Sequence, residues 1–241
     1  MNALEVKNLT KNYKEFSLKG ISFDIPKGSI MGFIGPNGAG KTTTIKAILD
    51  MINIDSGEIR LLGKQNSDLS VFDAVGAVTD FTLYDGDWKV KNVDRYLSPF
   101  YSSWDREAFY SKLDEFGVSK NKKVDELSKG QNIKLMLATA LSHKAKLLIL
   151  DEPTSGLDPM ARDEFCGLIK DYVSNGENSV LFSTHIISDL EKIADYITFI
   201  LDGSIILAGD KNEIVSKYGD KENTTLEDII LKSYKGGGLG A

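Results

Sequence analysis

One stretch, Gly35-Pro36-Asn37-Gly38-Ala39-Gly40-Lys41-Thr42, limits what this chain can fold into more than any other. It follows the apolar run Ile30-Met31-Gly32-Phe33-Ile34 and precedes a segment, Lys41 to Met51, whose Ile45, Ile48, Leu49 and Ile52 recur at helical spacing. A glycine, four residues and then Gly-Lys-Thr, set between a strand and a helix, lets successive backbone N–H groups converge on phosphate oxygens. The helix N-terminus adds a favourable partial charge. Lys41 is expected to reach the outer phosphates and the Thr42 hydroxyl to ligate Mg²⁺. Gly35, Pro36, Asn37, Gly38, Ala39, Gly40 and Thr43 complete the expected phosphate-binding set. Kinases, GTPases and transport ATPases all use such a loop, so it names no activity alone.

The rest of the chain supports an α/β layer around that loop. Strands are expected at 3–9, 21–25, 29–34, 58–62 and 75–78. From about Val90 to Ser142 the pattern is helical, with Val93, Leu97, Phe100 and Tyr101 on one face and Phe109, Leu113 and Phe116 on another. Strand and helix then alternate: Leu147-Leu148-Ile149-Leu150 as a strand covered on both faces, a helix from Pro159 to about Asn175, a strand at 179–183, a short helix near 187–193, and strands at 196–201 and 204–208. Alternating β and α units argue for an α/β layer with a helical insertion in it. One domain spans 1–225, its core 1–80 and 146–210 and its insertion about 85–145; short helices and a Gly-rich tail fill 211–241.

Composition removes other classes. Lys plus Arg number 29 against 35 Asp plus Glu, and only four are Arg (60, 95, 106 and 162), which argues against a nucleic-acid binder with a broad basic face. The lone Cys166 is expected in the core, since it has no partner for a disulfide and no zinc-ligand spacing around it. Met1 to Lys7 reads as a strand rather than a secretion signal. No apolar run approaches the roughly 18 residues of a membrane span, so the chain is expected in the cytoplasm.

A second set of residues narrows the chemistry. The strand 147–150 ends in Asp151-Glu152, and in open α/β sheets ligands gather at the carboxyl ends of strands. Asp151 is suited to hold Mg²⁺ and Glu152 to accept a proton from attacking water. The strand Val180-Leu181-Phe182-Ser183 delivers Thr184-His185 to the same edge, where His185 can hydrogen-bond a γ-phosphate. His143, closing a helical run, is expected to act as a C-terminal dipole partner.

Together these residues resemble the nucleotide-binding subunit of ATP-binding cassette (ABC) transporters over nearly the whole chain. Leu127-Ser128-Lys129-Gly130-Gln131 is similar to the family signature Leu-Ser-Gly-Gly-Gln, Ser155-Gly156-Leu157-Asp158 to its D-loop, and His185 to its switch histidine. Tyr13 matches the aromatic residue on which family members stack adenine. The resemblance implies that Ser128, Lys129, Gly130 and Gln131 act in trans, on ATP held by a second nucleotide-binding subunit, in a homodimer or heterodimer closed by ATP. It also implies an α/β fold, a P-loop ATPase core with a mainly parallel sheet, an N-terminal antiparallel β-subdomain and an inserted α-helical subdomain. It further implies hydrolysis by Glu152 and His185, Asp158 in the D-loop, and a separate integral membrane permease holding the chain at the inner face of the cell membrane.

Two positions depart from the family pattern. Asp80 falls where the family places a Gln that meets Mg²⁺ and the attacking water, and is expected to ligate the metal. Lys129 replaces the first signature Gly, which is tolerable if that position does not need a positive φ. Asp151–Leu157 and His185–Glu191 look most like exporters of drugs, antimicrobial peptides or lipid-linked compounds, so export is the expected direction. The alternatives are a soluble ABC ATPase, such as an iron–sulfur assembly component, and a binding-only subunit, against which Glu152 and His185 argue.

Overall fold

Runs of apolar residues become strands that bury both faces. The computed structural model of the chain describes residues 1–79, 84–219 and 224–236. In order, the elements are β1 (Asn2–Asn12), β2 (Ser17–Pro26), β3 (Ile30–Ile34), α1 (Lys41–Ile48), β4 (Ser56–Leu61), β5 (Lys64–Gln65), β6 (Val75–Val78), α2 (Val90–Leu97) and α3 (Arg106–Glu115). They continue with α4 (Lys129–Ser142), β7 (Leu147–Asp151), α5 (Pro159–Val173), β8 (Ser179–Thr184), α6 (Ile187–Ile193), β9 (Tyr196–Leu201), β10 (Ser204–Asp210), α7 (Lys211–Tyr218) and α8 (Leu226–Gly236). A six-stranded sheet has the order β10-β9-β3-β8-β7-β6, parallel except for β10. A four-stranded antiparallel sheet, β2-β1-β4-β5, forms the second layer.

The period-2 alternation of the central strands divides the interior in two. Ile30 and Ile34 of β3, Leu148 and Leu150 of β7, and Val180 and Phe182 of β8 face one cluster, shared with α3 to α6 and the C-terminal helices. Met31 and Phe33, Leu147 and Ile149, and Leu181 face the other, shared with α1 and the antiparallel sheet. Cys166 belongs to the first cluster, and burial pushes its thiol up to about 11.

The helices of the insertion are held against the sheet through α4. Ile133, Leu135, Met136, Leu137, Ala138 and Ala140 are buried over most of its circumference. At Gly76 of β6 an added Cβ would fall 2.5 Å from the Ala140 Cβ, so the helix sits directly on the strand backbone. That close seat fixes where the N-terminus of α4, and with it Ser128, points.

Four expectations need correction. The apolar face beginning at Val93 does not extend to Phe100: α2 stops at Leu97, a 3₁₀ turn over Ser98–Phe100 with Pro99 follows, and Phe100 is 78% exposed. Proline removes the N–H the helix would need to continue. The helix begun at Lys41 ends at Ile48, where Leu49 caps it and Asp50 turns left-handed at φ 56°. The Gly-rich tail does not begin at its first glycine: Gly236 still belongs to α8, which runs from Leu226.

The fourth correction concerns His143. It caps the C-terminus of α4 by position but is 1% exposed and stacked on Tyr101 at a centroid distance of 4.0 Å. Its Nδ1 lies 3.1 Å from the Asp73 carbonyl oxygen; a carbonyl only accepts, so Nδ1 carries the proton and donates. Burial pushes its pKa below the ordinary value, so the ring is neutral at pH 7 and interacts with the helix end as a packed ring rather than as a cation. It ties α4 to the turn before β6, where Asp73 also receives Ser102 N at 2.8 Å.

A histidine whose folded pKa lies below its unfolded one contributes stability that is complete above the unfolded value and is lost as pH falls. The unfolding midpoint is therefore expected to drop between pH 7.5 and 5.5. In His143→Gln that part of the slope should vanish, as chemical denaturation at both pH values would show.

Candidate functional site

The phosphate loop is built from the end of β3 into α1. Gly40 occupies the N-cap of α1 at φ 114°, and no side chain caps that helix. The first-turn amides of α1 are thus left for a ligand to satisfy. Ala39 N donates to Pro36 O at 3.2 Å, which draws the loop into a curve. Lys41 is 5% exposed and turns back across that curve, donating to Gly35 O at 2.7 Å and Pro36 O at 3.2 Å. The loop borders a cleft of about 680 Å³ lined by Pro36, Asn37, Gly38, Gly40, Thr42, Thr43, Asp151 and Glu152, among others.

Three parallel strands bring the remaining groups to the same edge. β7 pairs with β8 in register Asp151↔Ser183, and β8 pairs with β3 in register Thr184↔Ile34. The Asp151 carboxylate is 3% exposed and accepts the Ser183 hydroxyl at 3.1 Å. Burial pushes its pKa above the ordinary aspartate range, while hydrogen bonds from Thr42 and Ser183 pull it back. Glu152 follows at φ 50°, a conformation an L-residue adopts only under constraint, with its N–H on Ser183 O at 2.9 Å. Its Oε2 accepts from His185 Nδ1 at 2.8 Å. Its Oε1 lies 3.2 Å from Lys41 Nζ, an ionic contact, and has no hydrogen-bond partner among the described residues.

The signature residues occupy a different face. Ser128 caps α4, accepting Gln131 N at 3.3 Å while Gln131 Oε1 accepts Ser128 N at 3.2 Å. Lys129 is the first helical residue and its φ is not positive, so this position does not require glycine. Ser128, Lys129, Gly130 and Gln131 line a cavity of about 450 Å³ together with Gly156 and Asp158. Asp158 caps α5, accepting from Met160 N at 3.0 Å and Ala161 N at 3.1 Å. The residues around this cavity and those around the phosphate-loop cleft have no member in common.

Tyr13 is 47% exposed, with Lys11 Nζ 5.4 Å from its ring centroid, and borders a depression beside the cleft. Asp80 lies outside the described residues. The structure adds Glu15, Phe16 and Asp202, which line the cleft as well. The only sequence signal for Phe16 is an apolar residue in an otherwise polar turn, and nothing in the sequence ties Asp202 to Pro36. Ser183 could have been found from its place at the end of the strand carrying His185.

A family model described as ABC transporter matches residues 18–155. The chain belongs to that family. It is 33% identical over 220 residues to the Nod factor export ATP-binding protein I of Burkholderia orbicola, covering 88% of this chain and 72% of that one. It is 35% identical over 213 residues to the lantibiotic transport ATP-binding protein SrtF of Streptococcus pyogenes, covering 85% and 89%. An ABC transporter ATP-binding protein of Bacillus subtilis, YhaQ, shares 32% over 238 residues, covering 95% and 78%. Among solved structures, an ATP-binding subunit of an ABC transporter superposes with a TM-score of 0.84 at 24% identity, covering 95% and 98%, which speaks for the fold. The cbiO1 subunit from Clostridium perfringens, part of the ABC transporter complex cbiONQ, gives 0.71 at 25% identity, covering 97% and 95%. This ABC protein is an ATP-binding, ATP-hydrolysing transporter subunit. The soluble iron–sulfur alternative is not favoured by relatives of this kind.

Two loop glycines separate conformation from space. An added Cβ at Gly40 would meet Leu18 Cδ2 at 2.7 Å and Phe16 Cζ at 2.8 Å, whereas at Gly38 (φ 82°) nothing lies within 4 Å. Gly40→Ala should therefore abolish nucleotide binding, and Gly38→Ala should weaken it by no more than about thirtyfold, since a left-handed alanine costs ~1–2 kcal/mol. Titration with a fluorescent ATP analogue measures both.

Proposed function

We propose that this subunit hydrolyses ATP through Glu152 and His185 in a two-subunit sandwich and drives export through a separate membrane permease. The observation that carries the catalytic part is the contact set around one carboxylate: Glu152 holds His185 at 2.8 Å and Lys41 at 3.2 Å. Both partners are cation or N–H groups suited to phosphate, so bound triphosphate competes with Glu152 for them. Glu152 is then released to take a proton from water at the terminal phosphate. Lys41 exchanges the carbonyls of Gly35 and Pro36 for phosphate oxygens, while loop amides from Gly38 to Thr43 bear on the rest of the chain of phosphates. Tyr13 offers a ring face for adenine.

The residues fit Mg²⁺. The Thr42 hydroxyl and the buried Asp151 carboxylate share the cleft with Glu152, whose buried Oε1 has only the ionic contact with Lys41. This is the sparse oxygen set that magnesium takes when substrate phosphates supply further ligands. When bound, Mg²⁺ offsets charge on the transferring phosphoryl group. Asp80 is proposed to add a carboxylate to that metal.

The separation of the signature cavity from the phosphate-loop cleft supports action in trans. Ser128, Lys129, Gly130 and Gln131, with Asp158, are offered to ATP on a second nucleotide-binding subunit, identical or related, and the α4 N-terminus favours an anion there. Lys129 brings a positive charge to that face. No helix among the described residues is long and apolar enough to cross a membrane. The separate permease, and with it a peripheral place at the inner face of the membrane, follows relatives that are ATP-binding proteins of transporters. Export follows the Nod factor and lantibiotic relatives. Nucleic acid is not proposed as a partner.

Glu152→Gln should retain ATP binding and lower the hydrolysis rate by ~10²–10⁴-fold. Wild-type phosphate release from that variant would remove Glu152 from the base role. Affinity purification from detergent-solubilised membranes should bring down a polytopic membrane protein; recovery of soluble partners alone would overturn the permease assignment.

A further inference from the structure

Behind the strand ends that carry Glu152 and His185, one buried carboxylate joins three elements. Asp189 of α6 is 3% exposed. Its Oδ2 accepts the Thr154 hydroxyl at 2.8 Å, and Thr154 is fully buried. Arg162, in α5, donates Nε to both oxygens at 3.2 and 3.3 Å and Nη2 to Oδ1 at 2.5 Å. Nη2 also reaches the Ser188 hydroxyl at 3.2 Å.

The placement of these groups in the chain gives the cluster its meaning. Thr154 stands two residues after Glu152, Asp189 four after His185, and Arg162 four after Asp158, the cap of α5. Two arms of the cluster are therefore one short turn from the hydrolytic residues Glu152 and His185, and the third is one turn from Asp158 of the signature cavity. The 2.8 Å contact between His185 and Glu152 spans two separate strand-to-helix turns, and Glu152 is held at a strained φ of 50°. Such geometry persists only where the surroundings over-determine it. A buried carboxylate is also an expensive joint: apolar packing of similar volume joins helices at least as well. What the charged joint adds is direction, because a forked guanidinium and a hydroxyl accept only one arrangement of the three turns.

We propose that Asp189 is a positioning residue for hydrolysis, locking the Glu152 turn, the start of α5 with Asp158, and the His185 turn into one unit through Thr154 and Arg162. It rests on Glu152 and His185 being the hydrolytic pair. Thr154→Val removes one donor, preserves shape and leaves the Asp189–Arg162 pair. In the full chain, single-turnover hydrolysis at saturating ATP should fall ~5–10-fold in this variant, within the range for misplaced catalytic groups. ATP affinity should stay within about twofold. In a His185→Ala background the same change should cost less than about twofold, because no His185 remains to be set opposite Glu152 at the bound phosphate.

Equal losses in both backgrounds, an unchanged rate in Thr154→Val, or a loss of affinity matching the loss of rate would each overturn the proposal. If Thr154→Val yields no folded protein, Arg162→Lys, which keeps the charge but not the fork, enters the same cycle with the same expected result. Glu152→Gln and His185→Ala alone separate the two assignments. Wild-type hydrolysis in both would remove the catalytic pair and Asp189's role with it. Loss in both, with additive effects in the cycle, would remove Asp189 only.

Discussion

Hydrogen bonding among β3, β8 and β7 sets three strand ends side by side at a spacing of about 4.8 Å. Ile34, Thr184 and Asp151 end these strands, and the phosphate loop, His185 and Glu152 follow them directly. Because every residue of the three strands is buried, packing holds their ends from both faces of the sheet. The reacting groups are carried by the short turns just beyond, where polar side chains reach solvent. Packed core and reacting turn are thus separated by a single peptide unit.

Charge in this protein is placed locally rather than spread. A net charge of −6 gives no general attraction for a nucleotide. Backbone amides at the start of α1 and one lysine in a nearly closed position supply the positive potential instead. Asp151 shows the opposite strategy. It is an acid whose burial disfavours its own charge, balanced by Thr42 and Ser183 hydroxyls. A divalent cation beside it would settle that balance toward the ionised form.

Much of this was legible because phosphate recognition is local in sequence. The loop from Gly35 to Thr42, the acids after Leu150 and the histidine after Thr184 each sit at the junction of an apolar run and a polar turn. The strands at 75–78 and 196–201 and the helix at 187–193 could be bounded from pattern alone. Features made by distant segments could not. Phe16 and Asp202 enter the cleft through the packing of two turns, and Asp189 gains its partners only when α5 and α6 lie together. His143 misled because its chain position matches a helix end, whereas its ionisation is decided by Tyr101 and Asp73, 42 and 70 residues away. Phe100 misled because a helical period was carried through Pro99.

The three functional helices begin differently. Helix α4 has Ser128 and Gln131 closing its first turn reciprocally, and α5 has Asp158. Helix α1 has no side chain in that role. In the proposed binding mode its first turn is completed by the substrate, which makes ATP a structural component of the fold as well as fuel. By mass action the folded state gains RT ln(1 + [L]/Kd), about 2.7 kcal/mol when ligand stands at a hundred times Kd. Every turnover that empties the loop returns that helix to its uncapped condition. The chain's thermodynamic stability therefore follows the energy supply of its surroundings, and starvation for ATP makes it easier to unfold as well as idle.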